Sequence, residues 1–154
     1  MDLDVLFRDS LRDLLHELID GPPIDIAFIL NPGDRGLRGT LARLSSAQAS
    51  ARPSGRSSVA AHVEHLRYGF SLLNRWSRGD DPFADADYLE SWDHQQVNDE
   101  QWNAVQGELD REVRAWMEAF GETRTWDPVQ VSGAISSVAH LAYHLGAIRQ
   151  LASA

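Results

Sequence analysis

Apolar residues recur at helical spacing in four long stretches of this 154-residue chain, a periodicity that predicts an all-α fold. In residues 2–20, Phe7, Leu11, Leu14 and Leu18 fall at steps of four, three and four, and Gly21-Pro22-Pro23 stops the pattern. A second stretch starts near Ser57 or Ser58, a favourable N-cap, and runs to about Trp76. Its seam is Val59, Val63, Leu66, Phe70 and Leu73. The third opens at Asn98, where Asn98-x-x-Gln101 fits a capping box, and its stripe is Trp102, Val105, Leu109, Val113, Trp116 and Phe120, closed by Gly121. The fourth begins around Ser132–Ser136, after Pro128, and carries Ala134, Val138, Leu141, Leu145 and Ile148. Each stripe has to be buried against other helices, so the expectation is a four-helix bundle in a single domain over residues 1–154.

The first connection is the elaborate one. Ile24–Leu30 is a short apolar run that reads as a strand or a buried turn of helix, and Asn31-Pro32-Gly33-Asp34 is a loop signal. Leu37, Leu41 and Leu44 suggest a short extra helix over 37–47, followed by a Ser/Ala/Pro/Gly-rich linker at 49–57. Arg78-Gly79-Asp80-Asp81-Pro82 ends the second helix, and 83–96 is a long loop containing aromatics. There is no internal repeat and no low-complexity tail.

Composition narrows the chemistry. All 14 basic residues are arginine, and lysine and cysteine are both absent. That excludes Schiff-base and lysine general-base mechanisms, a protein thiolate, an iron–sulfur site, thiolate-bound zinc and disulfides. A net charge of -9 argues against binding a nucleic-acid backbone. No apolar stretch approaches the ~20 residues of a membrane span. The start Met1-Asp2-Leu3-Asp4 lacks the basic and apolar regions of a signal peptide, so a cytoplasmic location is expected.

Six histidines remain: His16, His62, His65, His94, His140 and His144. His140 and His144 are an i,i+4 pair, about 40° apart and ~6 Å along a helix axis, a spacing that lets two imidazoles chelate one ion. Around them the row Ser137, His140, His144, Ala147, Leu151 has no bulky group to block them. His62 and His65 lie on a seam of the second helix with Gly69, which opens space one turn beyond His65. The alternative for such histidines is a hydrogen-bonded place in the core. His140-Leu141-Ala142-Tyr143-His144 lacks the glutamate of a zincin, and the chain has no paired Glu-x-x-His motifs of a ferritin-type di-iron centre.

Two segments resemble the DinB-like (damage-inducible) family. Ser58-Val59-Ala60-Ala61-His62-Val63-Glu64-His65-Leu66 is similar to its "S-V-x-x-x-x-x-H-L" second-helix start. His140-Leu141-Ala142-Tyr143-His144-Leu145-Gly146-Ala147-Ile148 is similar to its last-helix "H-x-x-x-H-x-G-x-I". Trp92 and Trp102, flanking the capped third helix, are in keeping with it, and the resemblance covers about residues 57–154. It implies an up-down-down-up four-helix bundle, commonly a homodimer, with one divalent metal held by three histidines. Carried over by position, those ligands are His65, His140 and His144, while His62 sits three residues early and reads first as structural, with a place behind the ligands or facing the substrate as the alternatives. The resemblance also implies an enzyme that activates a small-molecule thiol or water against a small electrophile, as in the family's thiol-dependent transferases and isomerase. The other reading is a non-catalytic stress-response bundle. Three protein ligands leave an open position, which suits catalysis, and imidazoles suit zinc, nickel or iron alike. Without cysteine, any thiol in the reaction has to be an external low-molecular-weight one.

Other residues carry weaker expectations. His16 lies off its helix stripe and reads as exposed, and His94 as a surface residue of the loop. Trp92 lies outside any helical pattern and is a pocket-lining candidate. Tyr68 reads as core packing, and Arg149 as a helix-end charge that complements the dipole.

Overall fold

A side chain of the residue just before each long helix caps its start. α1 (Leu3–Asp20) begins where Asp2 accepts the Asp4 N–H, and α4 (Val59–Ser77) where Ser58 Oγ accepts the Ala61 N–H. α5 (Asp99–Ala119) carries the full Asn98/Gln101 capping box expected from the sequence, with both hydrogen bonds made. α6 (Pro128–Ala152) carries a second such box, formed by Asp127 and Gln130. Between α1 and α4 lie two short helices, α2 (Gly36–Leu41) and α3 (Ser46–Ala49). The computed structural model describes residues 2–23, 26–122 and 126–153, and among these every regular element is helical.

Three boundaries differ from expectation, each for a local reason. α6 starts at Pro128, ahead of the expected Ser132–Ser136, because proline fits the first helical position behind an aspartate cap. The expected helix over 37–47 is divided, because Ser45 and Gln48 form a new capping box that starts α3. The apolar run at 24–30 lies partly outside the described residues, at Ile24 and Asp25, and its remainder is neither strand nor helix. The N–H groups of Phe28, Ile29 and Leu30 instead all donate to the carboxylate of Glu17, at 2.7–3.1 Å. Glu17 is only 2% exposed, whereas Phe28 in the apolar run is 75% exposed.

The helical stripes meet in one core. Leu15 and Leu18 of α1, Val63 and Leu66 of α4, Leu109 and Val113 of α5, and Leu141 and Ile148 of α6 are all buried in it. α4 packs along α5, and α6 packs against both α1 and α4. Arg149 closes the far end of α6, donating to both oxygens of Asp34 at 2.7 and 3.0 Å and to Thr40 Oγ1 at 3.2 Å. It is thus a tertiary clamp as well as a helix-end charge. No helix among the described residues is long and apolar enough to cross a membrane.

Burial works to raise the Glu17 carboxyl, but the N–H groups of Leu30, Ile29 and Phe28 prevail and lower it. At Asp34 the Arg149 hydrogen bonds are the larger influence, and they also lower it against burial. Both groups therefore hold protons less readily folded than unfolded. Their stabilisation is complete above about pH 5 and is lost as pH falls through the folded values. Glu17→Ala, which orphans three backbone donors, is predicted to cost about 3 kcal/mol of unfolding free energy at pH 7. Urea denaturation measures that loss, and the same variant flattens the acid limb of stability against pH.

Candidate functional site

α4 and α6 run side by side where each carries its histidine pair. His65, His140 and His144 each offer a ring nitrogen, and the three atoms lie within 4.8 Å of one another. The ring of His65 is centred 5.2 Å from that of His140 and 5.0 Å from that of His144, which are themselves 4.5 Å apart. His65 and His144 are buried, at 7% and 3% exposure, and His140 is half-buried. These are the three candidates expected from the sequence, and the group could hold a metal ion.

Hydrogen bonds assign the free lone pair of His65. Ser91 Oγ donates to the Tyr88 carbonyl at 2.7 Å and lies 2.8 Å from His65 Nδ1. A hydroxyl has one proton, already given to Tyr88, so Ser91 accepts from His65 Nδ1–H and the lone pair of His65 is on Nε2. His62, away from the triad in the sequence motif, reaches it in space: its Nδ1 shares a 2.8 Å hydrogen bond with His144 Nδ1. The other nitrogen of His144, Nε2, lies 2.9 Å from His140 Nε2. His65 thus has its Nε2 free, while His140 and His144 share one proton between their Nε2 atoms, and Ser91 and His62 hold two of the rings from behind.

The loop after α4 roofs this group. Its single turn Glu90–Trp92 supplies Ser91 and lays the Trp92 indole over His65, ring centres 4.3 Å apart and planes 22° apart. Trp92 also meets His62 edge-on at 5.0 Å. Tyr68, read from the sequence as core, instead anchors the loop by accepting the Asp87 N–H at 3.0 Å. Ser58 anchors its other end on Gln95, through a 2.8 Å bond from its N–H and a 2.7 Å bond from its hydroxyl. Gly69 faces His140 as the seam suggested, since a Cβ built there would lie 3.9 Å from His140 Cε1.

His16 and His94 take no part in the group. His94 is exposed, and the His16 side chain, 55% exposed, lies 3.4 Å from Asp20 at the end of α1. Ser91 had no signal in the sequence, because a serine in an irregular loop carries no periodicity. Glu17 is the other polar group the sequence did not mark; it shares no face with the histidines and serves the first connection.

Burial holds all four clustered imidazoles toward the neutral form. It takes His65 down to about 4 and His144 to about 3, with the neighbouring histidines adding to the effect. His62 and His140 are lowered by burial as well. Comparison with family models, with curated proteins and with solved structures returned no match.

In chelator-treated protein the ring protons of His65 and His144 are predicted to show no titration between about pH 8 and 5 by NMR. Because the unfolded histidines protonate first, these two stabilise the fold fully above about pH 7 and progressively less as pH falls through 6.5. A thermal midpoint that stays constant from pH 7 to pH 5 contradicts this.

Proposed function

We propose that the protein is a DinB-like mononuclear metalloenzyme, its four long helices forming an up-down-down-up bundle and His65, His140 and His144 binding one divalent ion: zinc, nickel or iron. The observation that carries the reading is the convergence of these three imidazoles, from the two segments that resemble the family, on one point. The donors suit the ion. They are neutral at neutral pH, so binding has no proton to displace beyond a shared hydrogen bond. Two nitrogens on a tetrahedral zinc stand about 3.3 Å apart, given Zn–N of about 2.0–2.1 Å. The 2.9 Å between His140 and His144 is close to that spacing.

His65, His140 and His144 would hold the ion, which would lower the pKa of a bound water or thiol and so supply a nucleophile at neutral pH. The protein's residues do the rest. Ser91 fixes the tautomer of His65, and His62 orients His144 through its Nδ1, the outer support that ligand histidines usually have. Trp92 shields the His65 side from water. With no cysteine in the chain, a thiol nucleophile has to be a small external molecule, and the acceptor a small electrophile.

A second reading, a non-catalytic stress-response bundle braced by its histidines, is favoured by the 2.8 and 2.9 Å contacts, which link ring nitrogens without an ion. Metal analysis separates the two. Protein purified without a histidine tag is predicted to hold about one equivalent of metal, or to take it up from added zinc, nickel or iron. His65→Ala and His140→Ala should each lose it, while His94→Ala keeps it. Less than about a tenth of an equivalent, with no uptake, overturns the metal reading. The resemblance also implies a homodimer, and a clean monomer by light scattering at micromolar concentration removes it.

A further inference from the structure

His140 stands at one end of a slot between α4 and α6 with a volume of about 550 Å³, within the range that takes small organic ligands. Along α6 the slot passes Ser136, Gly133 and Ser132 to reach Val129, eleven residues from His140 and so about 16 Å away along the helix axis. The opposite wall is aromatic and aliphatic, built from Phe70, Leu73, Trp76, Phe83 and Tyr88. No aspartate, glutamate or arginine among the described residues lines it, in a chain that is 24% charged. The polar side chains on the wall, apart from His140 and the Trp76 indole, are hydroxyls.

Two glycines give the slot its shape. A Cβ at Gly133 would lie 2.7 Å from the Trp76 ring, so that indole rests on bare backbone. Gly69 leaves the space beside His140 open. Another cavity, of about 710 Å³, is of a different kind: Asp34, Arg35, Arg43 and Arg149 line it, and it includes no histidine. A ligand with a charge along its body would lose water in the slot and gain no partner there, which costs several kcal/mol.

We propose that this slot is the substrate site of the histidine centre. Its ligand is an elongated, neutral, mostly apolar molecule with a ring against Trp76 and Phe83 and its polar, reactive end at His140. The assignment to catalysis rests on the metal reading above; the slot's chemistry stands on its own walls. The test is titration with N-phenyl-1-naphthylamine, which is neutral, and with its anionic 8-sulfonate, followed by probe emission and tryptophan quenching. The neutral probe is expected to bind at one site per chain and about tenfold more tightly than the sulfonate. Ser136→Trp, at an exposed position on the rim, is expected to weaken the neutral probe about tenfold while helical circular dichroism and metal content stay unchanged. Val129→Arg, at a position 69% exposed, is expected to tighten the sulfonate.

Equal affinity for the two probes, or full binding by Ser136→Trp, overturns the slot. Cobalt(II) loading places the ligand: bound probe should lose emission in cobalt protein, and unquenched emission with cobalt bound overturns its position beside His140. Metal content measured on the same samples keeps the two readings apart. Protein that binds the neutral probe but no metal overturns the metal reading alone, and protein that binds metal without discriminating the probes overturns the slot alone.

Discussion

Four imidazoles meet at the boundary between α4 and α6, and they can do so only while uncharged. Two protonated rings about 5 Å apart repel by about 3 kcal/mol at an effective dielectric of 20, before the loss of hydration is added. Burial settles the matter, with His144 reaching about 3 and His65 about 4, so each ring offers a lone pair at neutral pH. Neutrality also decides how the rings can be held. A neutral imidazole has one donor and one acceptor nitrogen, so a support that takes the Nδ1 proton, as Ser91 does from His65, turns the other nitrogen inward. The spacing of the two helices, the direction of the lone pairs and the roof of Trp92 all presuppose that charge state.

Polar side chains in this protein are used chiefly to pin connections. Glu17 gathers three backbone N–H groups of the first connection, and Arg149 grips Asp34 in the same segment. Asp20 at the end of α1 pairs with Arg38 and Arg114 and so ties the first connection to α5. Tyr68 and Ser58 fix the two ends of the loop that roofs the histidines. The helices need little of this, because their apolar stripes already pack on one another. A site built from helix residues on one side and a loop turn on the other depends on both kinds of restraint.

The helices were legible in the sequence because burial on one face leaves a 3.6-residue record, and the caps at Ser58 and Asn98 left a chemical one. The start of α6 was misjudged because Pro128 has two meanings, a breaker inside a helix and a good first residue behind Asp127. The histidine triad was legible only with the resemblance: spacing paired His140 with His144, but nothing local chooses His65 over His62. In space the two differ by their partners, Ser91 for one and His144 Nδ1 for the other. The loop residues had no such record. Ser91, and the N–H groups gathered by Glu17, act through tertiary hydrogen bonds between segments far apart in the chain, which no periodicity encodes.

The resting place of Trp76 on Gly133 has a consequence for the slot. The indole occupies its position only because residue 133 has no side chain, and residue 133 lies two helical turns from His140, clear of the three imidazoles. A single methyl group there shifts a wall of the slot without touching a ring nitrogen. Exchanges among glycine and serine along this face of α6 can therefore reshape the slot while leaving the histidines unaltered.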